Sequence, residues 1–273
     1  MFLNHFSFFF LISCIIHVNS TAQSKTLIRG SAKFKHLVWS EEFNYKGLPD
    51  TNKWNYDTGY LRNHEIQYYT NKRLENAEVK DGHLIIVVRN DSMKTGKNMY
   101  PVTSSAISTH GKADWTYGRF EVRAKIPSSL GTWPAIWMLG SNIDKAGWPA
   151  CGEIDIMEHV GYMPDTLHFN VHTEKYNHVK KTNKGIQIPY KEPFANYHVY
   201  AIEWFKDHID WYMDEKKVFT FNNEGSGSAA WPFDKPQFII LNLAFGGDWG
   251  GQRGADLQSL PQSLLIDYIR IYQ

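Results

Sequence analysis

Trp148-Pro149-Ala150-Cys151-Gly152-Glu153-Ile154-Asp155-Ile156-Met157-Glu158-His159-Val160-Gly161 is the stretch around which this chain of 273 residues is organised. Ile154 and Ile156 are β-branched and favour a strand. Strand side chains alternate faces, so Glu153 and Asp155 point one way while Ile154 and Ile156 point the other, into a core. Strict alternation puts Glu158 on the apolar face. One extra residue at Ile156-Met157, a β-bulge, returns it to the side of the other two acids. Bulges occur beside active sites, where they re-aim a side chain.

Three carboxylates on one face repel each other and destabilise a fold unless they have a use. Glycoside hydrolysis is a chemistry that needs them. A retaining glycosidase employs one carboxylate as nucleophile and another as acid and then base, about 5–5.5 Å apart. With the bulge counted, Glu153 and Glu158 lie roughly 13 Å apart at Cα, a gap that two inclined Glu side chains mostly close. Asp155 between them would tune both pKa values. A bare E-x-D-x-x-E is more often an acidic solvated strand face or a carboxylate metal site, and its spacing does not say which Glu plays which part.

The flanks change that weighting. W-P-A followed by G-E-I-D-I-M-E-x-x-G resembles the active-site strand of glycoside hydrolase family 16, in its bulge-containing, laminarinase-like branch. The resemblance implies Glu153 as nucleophile, Glu158 as acid/base and Asp155 as the assisting carboxylate.

Outward from this strand, Thr132 to Gly140 carries Trp133 and Trp137 on one strand face. They are either core residues or flat apolar partners for sugar rings; the resemblance places them in the cleft. Leu167 to Thr173 alternates as a strand, which argues against His168 and His172 binding zinc from a helix. The resemblance puts His172 near the acid/base. Phe238 to Phe245 is almost continuously apolar, as a strand buried on both faces should be, and its Asn242 must find a partner. Gly246 to Gly251 reads as a flexible loop presenting Trp249, similar to the family's Gly-Gly-x-Trp cleft loop. Asn63, in R-N-H-E-I-Q-Y-Y, resembles the family's cleft Asn on the non-reducing side; otherwise it is a turn residue. Arg62-Asn63 stands where many relatives carry Gly-Asn or Trp-Gly-Asn. Tyr117 to Ile126 alternates cleanly. By pattern Arg119 is on a solvated strand face; the resemblance places it at the cleft. Val79 to Arg89 reads as two strands turning at Asp81-Gly82, and Asn90 to Met99 as a polar loop. Asp267 interrupts the apolar closing strand and needs a cation or hydrogen bonds. The resemblance implies a structural calcium there, held by Asp267 and by carbonyls at Glu42 and Gly82.

Met1 to Ala22 reads as an export signal: Phe6 to Ile16 is apolar but too short for a membrane span, and Ser20-Thr21-Ala22 suits cleavage. Leu11-Ile12-Ser13-Cys14 resembles a lipoprotein box, which would anchor the chain through Cys14. Either reading means export, secreted or periplasmic, and no later segment reads as transmembrane. With Cys14 removed, Cys151 is a lone thiol without a disulfide partner; as a nucleophile it competes with a small packed residue, and the resemblance favours packing. A formal charge of +1 without basic runs makes nucleic acid an unsuitable partner.

Residues 23–33 read as a linker and 34–273 as one domain, without a repeat or an appended module. Strands recurring every 8–15 residues indicate an all-β antiparallel sandwich. The resemblance, over about Phe34 to Gln273, specifies a concanavalin A-like jelly roll with a concave substrate cleft. It implies a monomeric hydrolase that uses no catalytic cofactor and cleaves internal β-1,3 bonds of a laminarin-like polysaccharide. Mixed-linkage β-glucan and agar- or carrageenan-type galactan are alternatives. A non-catalytic glucan-binding module is the reading from another class, and transglycosylation would use the same covalent intermediate.

Overall fold

The structure, a computed structural model, describes Met1 and residues 33–273. The export signal beyond Met1, Cys14 and the linker up to residue 32 lie outside the described residues. Two sheets pack face to face. The cleft sheet has seven strands in the order Lys184–Pro189, Thr166–His172, Glu153–Glu158, Thr132–Gly140, Gln237–Phe245, Ala106–Ser108 and Asn55–Asp57. The back sheet has ten strands. Its centre runs from His208–Met213 through His198–Trp204, Gly118–Lys125 and Gln262–Tyr272 to His83–Thr95. Pairing is antiparallel except where Tyr68–Tyr69 lies parallel to Asn98–Ser104. Among the described residues no helix is long and apolar enough to cross a membrane.

The period-2 pattern makes the core. Phe120, Val122 and Ala124 of the back sheet meet Ile136, Met138, Ile154, Phe169, Val171, Ile239 and Leu241 of the cleft sheet, all buried. Gln237–Phe245 is buried at every position, and Asn242 finds two partners. Its Oδ1 accepts from Trp137 Nε1 at 2.8 Å and its Nδ2 donates to Tyr69 Oη at 3.0 Å.

The bulge forms where the acids require it. Asp155 pairs with Trp137 and Met157 with Ile136, so the register against Thr132–Gly140 shifts between Asp155 and Met157. Ile154, Ile156 and Met157 all enter the core, and Glu158 returns to the outer face beside Glu153. A bulge breaks the backbone ladder locally. The Asp155 carbonyl is satisfied from the opposite sheet, by Trp211 Nε1 at 2.8 Å.

Three expectations change. Asn90 to Met99 is a hairpin, with strands to Thr95 and from Asn98 turning at Gly96, where φ is 61°. Its residues are polar because it runs past the edge of the core. Gly247–Gly250 is a helical turn rather than a loose loop. Arg119 is remote from the cleft. Phe120 faces the core, so its neighbour must face away, and Gly118–Lys125 belongs to the back sheet. There Arg119 is buried against Glu121 at 2.6 Å, Glu203 at 3.2 Å and Glu215 at 2.7 Å. It serves the fold, since a buried charge must be paired.

Trp211→Phe keeps the ring in the core and leaves the Asp155 carbonyl unpaired. We expect it to cost about 1–3 kcal/mol, read by urea unfolding, and to lower activity in the folded protein. Unchanged stability would mean that the bulge does not depend on this bond.

Candidate active site

The cleft crosses the outer face of five neighbouring strands, from Gln187 at one edge to Asn242. Two adjoining cavities, of about 520 Å³ and about 320 Å³, share Asn63, Trp133, Glu153, Glu158 and His178. Alternation plus the bulge supplies the acids, Thr132–Gly140 supplies Trp133 and Trp137, and Thr166–His172 supplies His168 and His172.

Each acid has its own surroundings. Glu158 Oε1 accepts from Trp133 Nε1 at 3.0 Å. Burial, and then the charge of Glu153, push the Glu158 carboxyl up to about 8. The larger cause is burial, and Asp155, expected from its place between the two Glu residues to tune both, is not among the causes. Asp155 is raised well above the carboxylate range by burial, then by Glu153 and Glu158. Hydrogen bonding between the two acids raises Asp155 further and lowers Glu153, the signs that go with Asp155 as the donor. Glu153 is raised by burial, against which act the Trp148 N–H, the Asp155 hydrogen bond and the positive charge of Arg62. One carboxyl is thus a proton store at neutral pH, and another is surrounded by groups that favour its anion.

His172 Nε2 lies 3.5 Å from Asp155 Oδ2 and 3.9 Å from Glu153 Oε1. Burial and His178 push its pKa down to about 3, so the imidazole is neutral. Glu153, Asp155 and His172 offer atoms within 4.8 Å of one another; a metal there would have to displace the proton between the two carboxyls.

The rim comes from two loops that hold each other. Asn63 and His64 have left-handed φ of 55° and 49°, a conformation Asn accepts, so Asn63 is both turn residue and cleft residue. Its carbonyl accepts from the Asp248 amide at 2.8 Å. A Cβ on Gly247 would meet that carbonyl oxygen at 2.6 Å, so only glycine fits. Trp249 packs edge-on against Trp133 at 5.2 Å and His168 at 4.8 Å.

Known proteins share this fold. A profile of "Glycosyl hydrolases family 16" matches residues 64–270. The chain belongs to glycosyl hydrolase family 16. It is 45% identical to a beta-glucanase of Rhodothermus marinus, over 97% of this chain and 93% of that protein. The laminarinase structure from Rhodothermus marinus superposes with a TM-score of 0.83 at 48% identity, covering 87% of this chain and 97% of that one. A laminarinase from Flavobacterium sp. UMI-01 gives 0.79 at 40%, covering 87% and 100%.

Of the residues singled out in the sequence, this family 16 hydrolase brings Glu153, Asp155, Glu158, Asn63, Trp133, Trp137, His172 and Trp249 to the cleft or its rim. Arg119 is not among them. Glu42, Gly82 and Asp267 meet on the back sheet: Glu41 pairs with Ile269 and Leu84 with Ile266, so their neighbours Glu42 and Gly82 flank Asp267. A second bulge, between Ile266 and Tyr268, lets Asp267 leave the apolar face. It accepts from Arg123 Nη1 at 2.5 Å, while Arg270 donates twice to the Glu42 carboxylate, at 2.8 and 3.0 Å. Cys151 is buried and burial pushes its thiol up to about 11, so it packs and does not attack.

Trp148, Arg62 and His178 were not read as site residues. Trp148 Nε1 donates to Glu153 Oε2, and its ring packs against His178, tilted by 34° with centroids 5.0 Å apart. Its place in W-P-A-C-G-E was the available signal.

Trp148→Phe removes that N–H while keeping a ring. In the nucleophile role that the family resemblance implies, Glu153 would have to be ionised, and losing a donor raises its proton affinity. We expect the acid limb of the kcat/KM profile to move to higher pH, with a loss of about 10-fold or more at the optimum. An unshifted limb would show that Trp148 does not act on Glu153.

Proposed function

We propose that this chain is an endo-acting, retaining hydrolase of internal β-1,3 bonds in laminarin-like glucans. The supporting observation is the bulged strand that brings Glu153, Asp155 and Glu158 to one cleft, each in different electrostatic surroundings. The glucanase and laminarinase names of its relatives support the substrate. Glu158, protonated at neutral pH, gives its proton to the leaving oxygen as Glu153 attacks the anomeric carbon. Glu158 then takes a proton from the incoming water, and the covalent bond to Glu153 is hydrolysed. The transfer of positive charge toward the sugar ring is met by the Glu153 anion, and Asp155 holds that anion by its hydrogen bond. A groove lined by five strands admits a chain in mid-length.

Export is part of the proposal and rests on residues 1–22, with lipid attachment at Cys14 as its variant. We also propose a structural calcium on the back sheet, bound by Asp267 and by the carbonyls of Glu42 and Gly82. Oxygen donors suit it; the Glu42 carboxylate is already held by Arg270. It would stiffen the sheet edge and take no part in the reaction. A chelator should lower the melting temperature and added calcium restore it; indifference to both would remove calcium from the proposal.

The deciding experiment is a time course of residues 23–273 on laminarin, mixed-linkage glucan and agarose, with products sized. We expect mixed oligomers from laminarin early in the reaction. Cleavage of agarose alone would overturn the substrate, and binding without cleavage would favour a non-catalytic glucan-binding protein. Glu153→Gln and Glu158→Gln should each lower kcat by at least about 10³-fold. In the parent enzyme, activity should fall as pH rises through about 8, where Glu158 loses its proton.

A further inference from the structure

Trp137 was expected to stack on sugar. In the structure its indole is already covered. The Arg62 guanidinium lies over it, 4.9 Å from the ring centroid, and stands 5.8 Å from the Tyr69 ring. Trp137 is only 8% exposed and its N–H is spent on Asn242. Asn242 also fixes Tyr69. Two anchored rings thus hold one guanidinium.

Arg62 has carboxylates near it, Glu65 and the half-buried Asp57 among them, but is held loosely by them. Its Nε is 3.9 Å from Glu65 Oε1, beyond a hydrogen bond. Glu65 is engaged elsewhere, accepting from Gln67 Nε2 at 2.7 Å and Asn63 Nδ2 at 3.4 Å. Arg62 Nη2 is buried and has no hydrogen-bond partner among the described residues. Leaving a charged donor unmatched is costly. Nη2 itself is shielded, but the Arg62 side chain is 27% exposed and lines the same cavity as Asn63, Trp137, Trp148 and Glu153. A hydroxyl-bearing ligand in that cavity would meet this side chain.

We propose that Arg62 is a specificity-determining residue, donating from its guanidinium to glucosyl hydroxyls on the Asn63 side of the cleft, with Trp137 as its support and not as a sugar platform. The assignment rests on the glucan reading. A guanidinium suits it better than a bare ring. Stacking accepts any sugar with a flat apolar face, whereas a fixed donor requires an oxygen at one position, and sites built on such donors reject ligands that lack it. Lys would supply charge without the planar fork or the aromatic stacking.

The test uses laminarihexaose on Glu153→Gln, which binds without turnover. Arg62→Ala in that background should weaken Kd by about 10- to 100-fold, and Arg62→Lys should recover less than half of that loss on a logarithmic scale. A crystal of the Glu153→Gln complex should show a guanidinium nitrogen of Arg62 within hydrogen-bond distance of a sugar hydroxyl. A sugar ring stacked on Trp137 with Arg62 displaced would overturn the proposal, as would unchanged Kd in Arg62→Ala. Melting temperatures of the variants separate lost binding from lost folding. Failure of the parent enzyme to cleave laminarihexaose would instead strike the glucan reading, leaving the Arg62 variants to be compared on whichever glycan is cleaved.

Discussion

One hydrogen bond between the sheets holds the condition on which the site depends. A regular strand cannot present Glu153, Asp155 and Glu158 on one face, because their spacing is odd between the first and last. The extra residue at Ile156-Met157 solves the geometry and leaves the Asp155 carbonyl in need of a partner. Trp211, on the back sheet, supplies it at 2.8 Å. Core packing does the rest: Ile154, Ile156 and Met157 are all fully buried, so slipping the register would pull apolar side chains out and drive a carboxylate in. That cost fixes the acids more firmly than any contact they make with one another.

The acids in turn are destabilising neighbours, and the structure handles them by protonation and donors. Burial is the largest cause of the raised proton affinity at all three. Asp155, with both other acids against it, keeps its proton. Glu158 is raised to about 8 and has a single indole donor. Glu153 receives Trp148, Asp155 and the field of Arg62. The three carboxyls, alike in the E-x-D-x-x-E spacing, differ in what each touches. Neutral His172 fills the space beside Asp155 without adding a cation that would strip its proton.

What could be read from the sequence was whatever alternation encodes. Ile154 against Glu153, or Phe120 against Arg119, gives the two faces of a strand directly, and the bulge follows once Glu158 must join the other acids. Alternation does not say to which sheet a strand belongs, which is why Arg119 was displaced: its polar face is real, but it lies on the back of the molecule. Polar content likewise misled at Asn90 to Met99, where edge strands make ladder bonds without burying much. Trp148 sits in a loop and acts through its N–H edge, which leaves no periodic trace. Arg62 was visible only as a departure from the family's usual Gly-Asn; its meaning depends on Trp137 and Tyr69, distant in sequence and joined through Asn242.

The tryptophans show why aromatic content alone could not locate the sugar. Four indole N–H groups near the site are committed inside the protein: Trp133 to Glu158, Trp148 to Glu153, Trp137 to Asn242 and Trp211 to the bulge carbonyl. An indole brings a large apolar body and one donor at its edge. Here the bodies shield the acids from water, which raises their proton affinities, while the edges restore selected charge stabilisation. The same residue type thus both creates the desolvation and corrects it at chosen oxygens. Trp137 is the case in which the ring's face is used by the protein as well, to hold Arg62. A cleft built this way recognises its ligand through donors placed over aromatic supports, and its chemistry through carboxyls that the same aromatics bury.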